Sequence, residues 1–161
     1  MRDSLARLAA LMAFCALSLL LAGAHSADTG LITVASKHSV PETIRRFEDA
    51  VRAKGWKFFT EIDHAAAARE VGLELKPRTV IIFGFPKGGT GPMQKAATLA
   101  IDNPPKALVW QDDQDKVWLT YNSAEYHLLT IYPRHGLPAP PAEAVKAYTQ
   151  LLAELSRLAT E

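Results

Sequence analysis

Two spacings of apolar residues alternate along this chain. Where one gives way to the other, an element boundary is predicted. Residues 31–36 form a short β-branched run that predicts a first strand. Ser39-Val40-Pro41-Glu42 then carries a hydroxyl at a helix N-cap, proline in the first turn and glutamate at N3. Val40, Ile44, Phe47 and Val51 recur on one helical face, and Lys54-Gly55 ends that helix. Residues 56–62 predict a second strand. Asp63 caps a short alanine-rich helix through Val71, closed by Gly72. The nearly continuous apolar run 79–83 predicts a central strand. Gly84-Phe85-Pro86-Lys87-Gly88-Gly89-Thr90 follows as a loop opening a helix over 91–101, with Thr90 as its cap, and Asp102-Asn103-Pro104-Pro105 breaks it. Strands over 107–111 and 117–121 flank Asp112-Asp113-Gln114-Asp115 as a hairpin. Residues 122–132 read as helical, and a proline-rich joint at 138–141 leads to a terminal helix ending near Leu158. The expected class is α+β, with helices packed on a mixed or mainly antiparallel sheet of about five strands.

The first segment fits neither spacing. Arg2 and Arg7 precede an uncharged apolar run over 8–21, and Ala22-Gly23-Ala24 supplies the small residues that signal peptidase requires. Residues 1–24 are therefore read as a signal peptide, 25–30 as a short tail and 31–161 as a single domain. Cleavage after Ser26 is the alternative position, and an uncleaved anchor the alternative reading, because the run approaches the roughly 18–20 residues that span a bilayer. With cleavage there is no stable membrane anchor, and the expected location is periplasmic or secreted, in a bacterium. Cys15, the one cysteine, leaves with the leader, so the mature chain has no thiol chemistry.

Composition narrows the chemistry further. The 161 residues are 48% hydrophobic and 22% charged, with a formal net charge of +1. Removal of Arg2, Asp3 and Arg7 makes basic and acidic residues equal in number. That balance gives no electrostatic footprint for nucleic acid.

Several stretches resemble the domain-of-unknown-function family 302. They are Phe83-Gly84-Phe85-Pro86-Lys87-Gly88-Gly89-Thr90 with Pro92-Met93-Gln94, and Thr60-Glu61-Ile62-Asp63-His64 with 70–75. To these are added 106–110 with 117–122. The resemblance runs from about Ile32 to Gly136 and implies a compact α+β domain, often exported in bacteria, with no established activity. The chain departs from the family at Phe85, where asparagine is usual, and at Asn103-Pro104-Pro105, where Leu-Pro-Leu is more usual.

The glycine-rich loop is the leading candidate site. Unpaired amides of Gly88 and Gly89 at a helix start, with the Lys87 cation and the Thr90 hydroxyl, would cradle a carboxylate or other anion. Lys87 precedes the glycines, so this is no P-loop, and a plain strand-to-helix turn is the competing reading. Trp110 and Tyr121, among the aromatics of the paired strands, would line an apolar part, although core packing also accounts for them. His64 is the candidate general base of an enzymatic alternative. It competes with a simple surface role beside the Asp63 cap. His127 and His135 lack zinc-ligand spacing, and Asp112, Asp113 and Asp115 lack the loop of a calcium site, so neither metal nor cofactor is expected. The preferred expectation is a non-catalytic domain holding a small anionic or amphipathic molecule. The alternatives are an enzyme using His64 near the 87–90 loop and a structural or homodimeric module. In the last, the terminal-helix stripe Val145, Tyr148, Leu152 and Leu155 would contribute a contact, though a core also explains it.

Overall fold

In the computed structural model, which describes residues 29–161, β-branched and aromatic segments form five strands. They are β1 (Leu31–Ala35), β2 (Lys57–Asp63), β3 (Arg78–Gly84), β4 (Lys106–Gln111) and β5 (Val117–Asn122). The segment read as a signal peptide and its predicted cleavage point, with Cys15 and His25, lie outside the described residues. All four pairings are antiparallel and the spatial order is β1-β5-β4-β3-β2, so β2 to β5 form a meander and β1 closes the far edge. The chain must therefore cross the whole sheet between β1 and β2, a distance of roughly 19 Å at strand spacing. Helix α1 (Val40–Ala53) makes that crossing, and its 14 residues span about 21 Å.

Each helix starts for a local reason. The Ser39 hydroxyl accepts from the Glu42 amide, and the Asp63 carboxylate accepts from the Ala65 and Ala66 amides at the start of α2 (His64–Glu70). The buried face of α1 includes Val40, Phe47 and Val51, as its period requires. Phe47 meets Phe83 of β3 edge-on, with ring centroids 5.0 Å apart. Beside α1 lies the terminal helix α5 (Ala142–Thr160), whose Leu152 and Leu155 are buried in the same core with Tyr148 packed against it, while Val145 is buried outside that cluster. The apolar stripe of that helix is thus accounted for within one chain.

The inner sheet face, with Ile81, Phe83, Val109, Leu119 and Tyr121, meets these two helices. On the outer face Trp110 and Trp118 stack at 6.1 Å. At the tip between β4 and β5, Asp112 accepts the Gln114 and Lys116 amides and the Trp118 indole N–H. That carboxylate organises the hairpin.

Two predicted elements need correction. Helix α3 runs over Pro86–Lys95 and is followed by a 3₁₀ turn at Ala97–Ile101, so Gly88, Gly89 and Thr90 lie inside the helix rather than in a loop before it. Proline at the first helical position, with φ already set, starts the helix despite its glycines. Residues 122–132 are not one regular helix. A π turn at Tyr126–Ile131 precedes the short α4 (Tyr132–Arg134), just before Pro133, which has no N–H to continue a regular ladder.

Candidate functional site

Five segments remote in sequence converge where β3 ends and β2 begins. Gly55, at φ +72°, ends α1, and the Gly55 and Trp56 amides bond the Arg52 and Val51 carbonyls at 2.9 and 3.0 Å. This reversal sets the Trp56 ring beside Phe83, 6.1 Å away. Phe85 lies just ahead of α3. A Cβ on Gly88 would fall 2.9 Å from Phe85 Cδ1, so glycine there lets the ring lie against the first turn. Tyr148 comes from α5. The π turn puts His127 and Leu128 on its buried side, and Tyr132 follows. Asn103 arrives from the turn after the 3₁₀ segment, its amide bonded to the Leu99 carbonyl at 2.9 Å.

The result is a row of rings. Phe85 stacks on Trp56 at 5.8 Å, Trp56 on Tyr148 at 5.9 Å, and Tyr148 meets His127 edge-on at 5.9 Å. Tyr132 closes the row 5.6 Å from His127. These rings wall a cavity of about 210 Å³, completed by Gly88, Gly89, Asn103, Pro105 and Leu128. A smaller hollow of about 80 Å³ adjoins it, sharing Phe85, Gly89, Asn103 and Pro105 and reaching Phe59 and Met93.

No Lys, Arg, Asp or Glu lines the larger cavity. Burial lowers the His127 pKa, with Lys106 adding to the effect and Asp102 opposing it, so the imidazole is neutral near pH 7. Burial likewise raises the phenols of Tyr132 and Tyr148, and keeps them protonated. The nearby charges are already engaged. Asp102 takes a 2.6 Å hydrogen bond from His135, which with Arg134 and Lys106 holds its carboxyl below the usual range. His135 also contacts the Thr98 hydroxyl at 2.9 Å, tying α4 to the turn that presents Asn103.

Only Gly88 and Gly89 of the predicted site residues reach this cavity, and they do not form an anion cradle. Both amides bond the Phe85 carbonyl at 2.9 Å, and the Thr90 hydroxyl donates to the Pro86 carbonyl at 2.7 Å. Lys87 is exposed. Trp110 lies on the opposite face of the sheet, where its indole N–H bonds Thr120. Tyr121 is buried in the core. His64 is exposed at the far end of β2, roughly 20 Å along the strand from Lys57, which pairs with Gly84. The shared cavity that the His64 alternative required is not formed. Among the described residues no group of three or more His, Cys, Asp or Glu could hold a metal ion. A larger groove under α1 and α2 is lined by Arg45, Glu48, Asp63 and Arg69, and its charges are largely paired.

The sequence did not join Trp56, Tyr148, His127 and Asn103 into one site because no spacing links them. The one local signal is Gly55-Trp56, a helix stop followed at once by a large aromatic.

The chain is 44% identical over 120 residues to a protein named Fluoride-specific ion channel FluC 1 from Brucella suis biovar 1 (strain 1330), covering 74% of this chain and 46% of that one. A protein of the same name from Brucella abortus biovar 1 (strain 9-941) matches at 44% over 120 residues, with 43% of its length covered. The chain thus spans less than half the length of these curated relatives. Among the described residues no helix is long and apolar enough to cross a membrane. The fold is shared with a crystal structure of an uncharacterized conserved DUF302 protein from Bacillus stearothermophilus. That match has a TM-score of 0.67 at 16% identity, covering 81% of this chain and 98% of that one. The family model for Domain of unknown function DUF302 matches residues 32–155, and the chain belongs to that family.

Proposed function

We propose that this domain binds a small amphipathic molecule, without transforming it, in the hollow walled by Trp56, Phe85, Tyr148, His127 and Tyr132. The observation that carries this reading is a cavity of about 210 Å³ lined by aromatic rings and a few polar groups, with no charged side chain. Such a lining is characteristic of small-molecule sites. The polar end of the ligand faces His127 and Asn103 rather than the residues of the 87–90 turn, whose amides and hydroxyl are internally bonded.

The apolar run at 8–21 and the small residues at 22–24 support export, with the domain acting outside the cytoplasm. The Brucella relatives join a matching stretch to a longer protein named as a fluoride channel, which supports a setting beside a membrane. The channel's activity does not come with it, because less than half of each relative is matched.

Benzyl alcohol, with eight heavy atoms, is a suitable probe. At roughly 0.5 kcal/mol per atom it would bind with a dissociation constant of about 1 mM. Proton–nitrogen NMR should show saturable movement of the Trp56 indole signal, with those of Trp110 and Trp118 unmoved. Equal drift of all three indole signals, or no movement at 20-fold higher probe (about 20 mM by the same estimate), refutes the reading.

A further inference from the structure

We infer that the polar end of this hollow is built for an uncharged ring bearing a carboxamide or lactam edge, a conclusion that rests on the small-molecule reading above. Two groups carry it. Asn103 lines the hollow, and its side-chain oxygen is buried without a hydrogen-bond partner, so a small turn of the amide toward the hollow would let an occupant supply the missing donor. His127 is 7% exposed and lines the cavity, held between Tyr132 and Tyr148, with no hydrogen bond to either ring nitrogen. A neutral imidazole offers one N–H donor and one acceptor. An amide edge carries both a donor and an acceptor, which suits the asparagine side chain and the neutral imidazole alike.

A carboxylate fits poorly at the same place. No charged side chain lines the hollow to offset its charge, and the nearby helix amides of Gly88 and Gly89 are bonded to the Phe85 carbonyl. Lys106, the nearby cation, directs its ammonium to the Asp102 and Pro104 carbonyls at 3.4 and 3.3 Å. Size sets the ring: about 210 Å³ accepts one six-membered ring with a small substituent, and the adjoining hollow takes a short apolar extension past Phe85.

The test compares benzamide, benzoate and toluene on the intact domain at pH 7.5, read by the His127 ring nitrogens and the Trp56 indole signal. Benzamide is expected to bind at least tenfold more tightly than either of the others. Asn103→Ala keeps the backbone bond to Leu99 and should cut the benzamide-over-toluene preference from at least tenfold to about one. Asn103→Ser and His127→Phe provide second variants, each checked for a native melting transition. Benzoate binding as tightly as benzamide, or Asn103→Ala weakening benzamide and toluene alike, overturns the inference. Toluene binding as well as benzamide refutes the polar pair and spares the hollow. If none of the three moves the Trp56 signal, the small-molecule reading falls as well.

Discussion

Replacing Trp56 by alanine tests whether the ring row is part of the fold or merely lies on it. The indole touches three rings, Phe83 at 6.1 Å, Phe85 at 5.8 Å and Tyr148 at 5.9 Å. Aromatic pairs contribute about 0.5–1.5 kcal/mol each beyond area burial, so loss of all three costs about 3 kcal/mol. The substitution leaves the amide bond to Val51 in place, so the effect reports the side chain. A domain of about 130 residues unfolds with an entropy near 0.28 kcal/mol/K, which converts that loss to a fall in Tm of about 11 °C. Calorimetry is the assay. Trp110→Ala is the control on the outer face, losing one stack and one hydrogen bond at about 1–2 kcal/mol, or about 5 °C. The reasoning fails if Trp56→Ala lowers Tm by under about 3 °C, or by no more than the control. Read at the His127 ring nitrogens, benzyl alcohol should lose its saturable site in Trp56→Ala and keep it in Trp110→Ala.

Three further outcomes are expected. Because the folded His127 pKa is lowered, the unfolded chain binds the extra proton as pH drops below about 6.5; stability should fall there, and His127→Phe should flatten that part of a urea-melt series. Gly30 has φ +68°, and a Cβ there would lie 2.5 Å from Tyr126 Cγ. Gly30→Ala should therefore cost about 2–3 kcal/mol by chemical denaturation, and a loss under about 0.5 kcal/mol would count against the packing described. Lys87→Ala should leave benzyl alcohol affinity within twofold, and a tenfold loss would restore the cation to the site.

Most elements were legible because the groups that decide them are neighbours in the chain. Ser39 and Asp63 announce their helices through hydrogen bonds to amides two or three residues on. The stripe Val40, Phe47, Val51 needs only the helical period to be recognised as a buried face. The 84–90 segment misled for a related reason. Glycines suggest an open loop on propensity alone, whereas Pro86 and the Phe85 ring make that segment the start of a helix. Trp110 and Tyr121 were correctly placed on strands, yet which sheet face meets the helices depends on the whole chain.

The amino-acid order by itself determined the α+β class and the helix caps at Ser39 and Asp63. Those properties depend on composition and on contacts a few residues apart. Tertiary structure alone decided the strand order and the cavity. Trp56, Phe85, Asn103, His127 and Tyr148 come from five segments, and only the long crossing of α1 with the return of α5 brings their rings within 6 Å of a neighbour or onto a common cavity wall. Burial then kept the His127 imidazole neutral, a property that belongs to the packing around that side chain and not to any stretch of chain.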